Sequence, residues 1–288
     1  MSVELSRLDR ERLRYYVRRR DRADKSHRCL LGLDTFETDW ARLQEKSSYM
    51  HAAVENRTIW LLWHQGEDQA PPLIQACLHS WRQKNPTWQV RVLDQASLDA
   101  LIDTGQYPRK RALHHISDLV RLDLLKAYGG VWADATTLCM QPLDQWIDDT
   151  MAADFFAFAR PQPLRSIASW FLAANPKSEL LAHFQNAAHA YLNSRRPPQS
   201  YFFFHHTFDW LLETYPSLQK RWAQSPRISA RGPHVLQRLL DDTLPLDTRP
   251  SATQLAEVPL FKLNRKKGYT VEQIDHLLES YGLSRTAP

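Results

Sequence analysis

Two pairs of side chains near the middle of this 288-residue chain are spaced for chemistry. Asp118 and Arg121 stand at i and i+3, so on a helix they share one face: the carboxylate accepts hydrogen bonds from hydroxyls and the guanidinium holds phosphate or sugar oxygens. The same spacing also reads as an intrahelical ion pair of little energetic weight. Asp134 and Thr136 form a D-x-T; along a strand they project to one side, and in a turn they close around one ligand. Oxygen ligands of this kind suit Mg²⁺ or Mn²⁺, which keep several waters and bind a diphosphate at the same time. Fixed cations can serve the same purpose, and Lys262 and Lys266 in the basic run Phe261 to Gly268 are candidates, with a solvated tail as the alternative reading.

The elements that must position these groups are legible nearby. Leu119, Leu122 and Leu125 recur at helical spacing, Ser117 is placed to cap the start, and Gly129-Gly130 stops the helix with residues that tolerate positive φ. Val131-Trp132-Ala133 then reads as a short buried strand presenting Asp134 at its carboxyl end, where open α/β sheets place ligands. Upstream, Ile59 to Trp63 is a continuous apolar run closed by His64-Gln65-Gly66, as expected of a fully buried strand. Pro71-Pro72 opens a helix to about Lys84, Trp88 to Leu93 is a second strand, and Ser97 to Ile102 another helix. This alternation argues for a mostly parallel sheet covered by helices.

After Pro142 the pattern loosens. Phe155 to Ala159 reads as a strand, Ser169 to Ala174 is ambiguous, and Ser178 to Asn193, most of Tyr201 to Tyr215, Gly232 to Leu240 and Thr270 to Tyr281 read as helices. Asp241 to Thr253, rich in prolines and acids, reads as a loop. Residues 1–55 read as a basic helical appendage, with Trp40 and Leu43 facing inward and Asp34 or Thr35 as caps, preceding a single domain over 56–288.

A hydrophobic content of 43% with ten Trp fills a sizeable core, and no apolar run approaches the roughly 20 residues needed to span a bilayer. The charged start, Met1 to Arg14, does not read as a signal peptide, so the expected location is the cytoplasm. Cys29, Cys77 and Cys139 are odd in number and far apart, which argues against a disulfide framework or a C-x-x-C site. Histidine pairs such as His114-His115 and His205-His206 lack zinc-finger spacing, and no Walker A, G-x-G-x-x-G or G-x-S-x-G segment is present. The net charge of +5 concentrates in Arg7 to Arg28. That segment reads as a solvated helix face or, through the stripe Leu5, Leu8, Leu13, Tyr16 and Val17, as a contact for an anionic membrane surface; nucleic acid is the weakest of the three partners.

The order Ser117-Asp118-x-x-Arg121, then Tyr128-Gly129-Gly130-Val131-Trp132-x-Asp134, resembles the donor-binding segment of glycosyltransferases with DXD-type motifs, particularly glycosyltransferase family 32 and the related capsular polysaccharide synthesis proteins. The likeness extends to Ile59 to Gln65, to Trp81 with Asn85-Pro86 and to Trp88 to Asp94, and is thinner at Ser169-Trp170-Phe171, Gly232-Pro233-His234 and Phe261-Lys262-Leu263. It implies a Rossmann-like GT-A fold, a nucleotide-sugar donor, a saccharide or lipid-linked saccharide acceptor, usually a Mn²⁺ or Mg²⁺ ion, and, for family 32, retention of anomeric configuration. Carried over by position, Asp118, Arg121 and Asp134 are the catalytic candidates; His64, Ser117, Trp132, Lys262 and Lys266 join Asp118 and Arg121 around the donor; and Asp134, Thr136 and His234 are the metal candidates. The departure is Thr136, where the DXD pattern has a second carboxylate, since a hydroxyl anchors a hard cation poorly.

The resulting expectation is a cytoplasmic hexosyltransferase for polysaccharide or glycoconjugate synthesis, with the inner face of the cell membrane as a peripheral station for Arg7 to Arg28 and no nucleic-acid partner. A catalytically silent nucleotide-sugar-binding protein on the same fold, and a basic nucleic-acid-binding protein, are the alternatives.

Overall fold

The computed structural model describes residues 4–27, 52–108, 112–194 and 200–286. Cys29 and the calls at Asp34, Thr35, Trp40 and Leu43 lie outside the described residues.

Seven strands and ten helices are described: α1 (Arg7–His27), β1 (Thr58–Leu62), α2 (Pro72–Lys84), β2 (Gln89–Leu93), α3 (Gln95–Leu101), α4 (Leu113–Tyr128), β3 (Gly130–Ala133), β4 (Thr137–Cys139), β5 (Phe155–Gln162), β6 (Arg165–Ala174), α5 (Glu179–Leu192), α6 (Phe203–Thr214), α7 (Pro216–Trp222), α8 (Val235–Leu240), α9 (Ala252–Ala256), β7 (Leu260–Lys262) and α10 (Val271–Ser280). The five-stranded sheet has the order β2-β1-β3-β6-β5. β1 pairs parallel with β2 and β3, β6 runs antiparallel to β3, and β5 runs antiparallel to β6. Four of the five strands therefore share one direction, and the chain is a mixed α/β protein with a mostly parallel sheet.

Both faces of the sheet are covered, which is why β1 and β3 are apolar throughout. Ile59, Leu61, Val131 and Ala133 pack on one face with Ile74, Leu78 and Trp81 of α2; Trp60, Leu62 and Trp132 pack on the other with α4, α5 and α6. The ambiguous stretch Ser169 to Ala174 is the inner half of β6, whose buried side chains complete both layers. The expected loop from Asp241 holds a 3₁₀ turn, Leu246–Thr248, and ends in α9, where Ser251 and Gln254 form a capping box.

Helix α1, in the segment expected as an appendage, packs on α6 and α5. Leu5, Leu13, Tyr16 and Val17 are buried in the main core, and only Leu8 of the predicted membrane stripe is exposed, at 54%. Arg20 is paired with Glu213 of α6 at 2.8 Å. The apolar stripe is thus covered by the protein's own helices, because burying it against α5 and α6 removes more apolar area from water than leaving it on the surface.

Two turns decide where the chemistry lands. Gly129 and Gly130 have φ of 71° and 96°, and a Cβ on Gly130 would lie 2.4 Å from the Thr58 carbonyl, so α4 can reverse into β3 only with glycine there. After β3 the chain turns at Asp134, with the Thr137 amide donating to the Asp134 carbonyl at 2.9 Å, and enters β4. β4 pairs antiparallel with β7, Thr137 opposite Lys262, which carries the C-terminal basic run to the carboxyl edge of the main sheet.

Candidate active site

Because α4 returns antiparallel to β3, its first turns lie at the same edge as the carboxyl ends of β1 and β3. A cavity of about 520 Å³ opens there, walled by Trp63, Asp118, Arg121 and Trp132 on the sheet side and by Asp134, Thr136, His234, Lys262 and Lys266 around the turn and tail. Ser117 also lines it. His64 does not; its neighbour Trp63, just past the end of β1, takes the wall.

Ser117 is not the helix cap. Helix α4 begins a turn earlier, at Leu113 with Ala112 in the cap position, and Ser117 instead accepts from Arg121: its carbonyl from Nε at 3.1 Å and its hydroxyl from Nη2 at 3.2 Å. Arg121 also donates to the Ser169 carbonyl of β6. Its guanidinium lies 3.2 Å from Asp118 and 3.6 Å from Asp134, between the rings of Trp132 and Phe204 at 5.2 and 5.4 Å. With side-chain exposure of 5%, Arg121 faces protein acceptors on most sides and organises both carboxylates.

The two carboxylates differ. Asp118 is buried, and loss of solvent pushes its pKa up to about 7; Arg121 opposes that shift and Asp134 adds to it. Near neutral pH its carboxyl therefore exchanges between accepting and donating forms. Asp134 is more open, at 30% side-chain exposure, and its Oδ1 accepts from Trp132 Nε1 at 3.2 Å.

Across the turn, Lys262 Nζ donates to the Thr136 hydroxyl at 2.5 Å and to the Leu263 carbonyl at 3.0 Å, and lies 3.9 Å from Asp134 Oδ2. The lysine read alternatively as a solvated tail is held in β7 with a side-chain exposure of 16%. Burial lowers its pKa while Asp134 holds it up. Lys266 remains exposed at the rim, and Arg265 lies 5.8 Å from the Trp63 ring.

The residues present do not fit a divalent cation held by Asp134, Thr136 and His234. Asp134 is flanked by Arg121 and Lys262, and the Thr136 hydroxyl accepts from an ammonium. Lys262 Nζ thus stands where a cation bridging Asp134 and Thr136 would sit, and its positive charge opposes a second cation there. His234 packs edge-on against Trp170, and it offers an imidazole nitrogen where Mg²⁺ and Mn²⁺ favour oxygen donors.

Sequence reasoning missed Trp63, Ser169, Tyr201, Gln237, Asn264 and Arg265. Trp63 and Arg265 were signalled by their places at the end of the first strand and in the basic run; Tyr201 and Gln237 carried no local signal. Of the two histidine pairs, His114 and His205 reach the cavity, while His206 is fully buried in α6 with the Phe202 ring 6.5 Å away.

Fold and site together define an α/β protein with a charged cleft at the carboxyl edge of its parallel strands. Residues 23–281 match the family described as capsular polysaccharide synthesis protein, and the chain belongs to that family. Similar curated proteins include the O-glycosyltransferase braB of Annulohypoxylon truncatum, 32% identical over 30% of this chain and 24% of that protein. The glycosyltransferase afumC of Aspergillus fumigatus is 29% identical over 44% of this chain and 34% of its own length. The initiation-specific alpha-1,6-mannosyltransferase of Candida albicans is 28% identical over 39% and 33%. The matches thus span between about a quarter and a third of these relatives. A solved PaToxG glycosyltransferase superposes over 96% of this chain and 97% of its own, with a TM-score of 0.43 and 12% identity.

Proposed function

We propose that this protein is a glycosyltransferase that moves a hexosyl group from a nucleotide-sugar donor to a hydroxyl of a saccharide or lipid-linked saccharide, with retention at the anomeric carbon. One observation carries the reading: Asp118 and Asp134 share a cavity with Lys262, Lys266 and Arg265. Breaking a sugar–diphosphate bond develops negative charge on the leaving phosphate, so cations fixed beside it lower the barrier more than they stabilise the intact donor. On this reading the carboxylate of Asp118 accepts hydrogen bonds from donor hydroxyls, Asp134 orients the sugar and the lysine beside it, and Arg121 is a positioning residue for both. Trp63 supplies an aromatic wall with Arg265 over it. The family membership and the relatives named as glycosyltransferases support the class of reaction. The divalent cation that the sequence resemblance implies is not part of this reading, because the donor set does not fit it.

The test is a panel of nucleotide sugars and nucleoside diphosphates, read by thermal shift and by donor hydrolysis or transfer. At least one donor should stabilise the protein and turn over, and Asp134→Ala should abolish turnover with the fold retained. Neither binding nor turnover with any donor would overturn the proposal; binding without turnover would favour a silent nucleotide-sugar-binding protein.

A further inference from the structure

We propose that the Lys262 ammonium acts on the donor diphosphate in the place a divalent metal would take, so that this protein transfers sugar without a metal ion. The proposal rests on the glycosyltransferase reading above and assigns the group that receives the leaving phosphate.

Three observations carry it. First, Lys262 Nζ is bound to Thr136 Oγ1 at 2.5 Å and lies 3.9 Å from Asp134 Oδ2, so one cation already bridges the two side chains of the D-x-T turn. A hydroxyl is a weak ligand for Mg²⁺ or Mn²⁺ but a good acceptor for an ammonium, so threonine at position 136 is explained by the lysine. Second, the ammonium is placed by backbone structure. Lys262 is the last residue of β7, opposite Thr137, and the Leu263 amide donates to the Thr136 carbonyl at 2.9 Å, which locks the two segments on either side of the contact. Third, an ammonium has three protons; the Thr136 hydroxyl and the Leu263 carbonyl take two, and Asp134 stands beyond hydrogen-bond distance, leaving one donor for a phosphate oxygen in the cavity that Lys262 lines.

In the step, the bond from the anomeric carbon to the diphosphate oxygen breaks with both electrons passing to that oxygen. An acceptor hydroxyl oxygen supplies the pair for the new carbon–oxygen bond, and its proton passes to the departing diphosphate. Lys262 remains an ammonium throughout; it donates a hydrogen bond that shortens as charge builds on the phosphate, and transfers no proton.

The experiment uses the full chain in EDTA and, separately, in Mn²⁺ or Mg²⁺, with the nucleoside diphosphate of the donor that binds best. Diphosphate affinity by calorimetry and donor turnover should agree within about twofold between the two conditions. Lys262→Ala should weaken the diphosphate by about tenfold to a hundredfold, the loss of one charge-assisted hydrogen bond, and Lys262→Arg should recover part of it. Thermal melting identifies variants that fail to fold; if Lys262→Ala is one, Lys262→Met, which keeps the length of the stem, replaces it. Turnover that stops in EDTA and returns with Mn²⁺, or unchanged diphosphate affinity in the folded Lys262 variants, overturns the metal-free assignment and leaves the glycosyltransferase reading standing. Absence of binding and turnover with every donor in both conditions defeats that reading and the present one together.

Discussion

The ammonium of Lys262 lies 2.5 Å from the hydroxyl of Thr136, although 126 residues separate them in sequence. The contact joins the turn after β3 to the last strand of the chain, and it makes the charge at the cavity floor depend on a residue from the far end of the protein. If Lys262 is the cation of the site, residue 136 decides whether that cation is available to a ligand.

Thr136→Asp places a second carboxylate against Lys262. The new ion pair competes with diphosphate for the ammonium while creating a D-x-D suited to a hard metal. Diphosphate affinity in EDTA should fall by about tenfold or more, and Mn²⁺ should restore part of it; calorimetry with and without the metal checks both halves.

Arg121→Met removes the guanidinium that stands between Asp118 and Asp134, leaving Asp118 buried without its counterion. Breaking one side of a buried charge cluster costs about 3–5 kcal/mol. Urea unfolding at pH 8 should show a loss of that size, and adding Asp118→Asn to the same background should recover part of it.

The carboxyl of Asp118 is held up near 7 by burial, against an ordinary value of 3.8. Between those values the folded state keeps a proton that the unfolded chain has released, so this group's contribution becomes less favourable as pH rises from about 4 to about 7. At about 1.4 kcal/mol per pKa unit the effect amounts to a few kcal/mol. Asp118→Asn should therefore flatten the fall in stability over that window and lose relatively more stability at pH 4 than at pH 8. Donor binding should move the opposite way in the native protein, strengthening as the carboxylate forms through pH 7, and the Asn variant should lose that rise. Chemical denaturation and donor calorimetry from pH 4 to pH 8 read both trends.

Leu13 is fully buried under α6, whereas Leu8, on the same helix, is 54% exposed. Leu13→Ala should cost about 2–5 kcal/mol through lost burial and the cavity left behind. Leu8→Ala should stay within about 0.5 kcal/mol. Equal, small effects at both positions would show that α1 is peripheral to folding.

At Gly130 an added Cβ meets the Thr58 carbonyl at 2.4 Å, while at Gly268, also at positive φ, it meets nothing within 4 Å. Gly268→Ala should cost only the left-handed backbone penalty of about 1–2 kcal/mol. Gly130→Ala should cost more and disturb the β1–β3 pairing, since backbone atoms have to move apart. Thermal melts of the two variants compare them directly.

Much of this protein is legible locally. Apolar runs at Ile59 to Leu62 and Val131 to Ala133, helical spacing at Leu119, Leu122 and Leu125, and the stop at Gly129-Gly130 are properties of neighbouring residues, and together they deliver Asp118, Arg121 and Asp134 to one sheet edge. Ser117 does not cap the helix, because α4 begins at Leu113 without a side-chain cap and the serine serves Arg121 instead. What only the tertiary structure decided is which distant groups meet: α1 covering α6 rather than presenting its stripe to a membrane, Ser169 of β6 anchoring Arg121, and β7 pairing with β4 to set Lys262 on Thr136. The physical reason is that periodicity and turn chemistry act over a few residues, whereas strand pairing and burial across the chain depend on the sum of many contacts that no single segment contains. Asp134 and the lysine candidate were both visible in the sequence; that Lys262, and not Lys266, reaches the D-x-T turn was not.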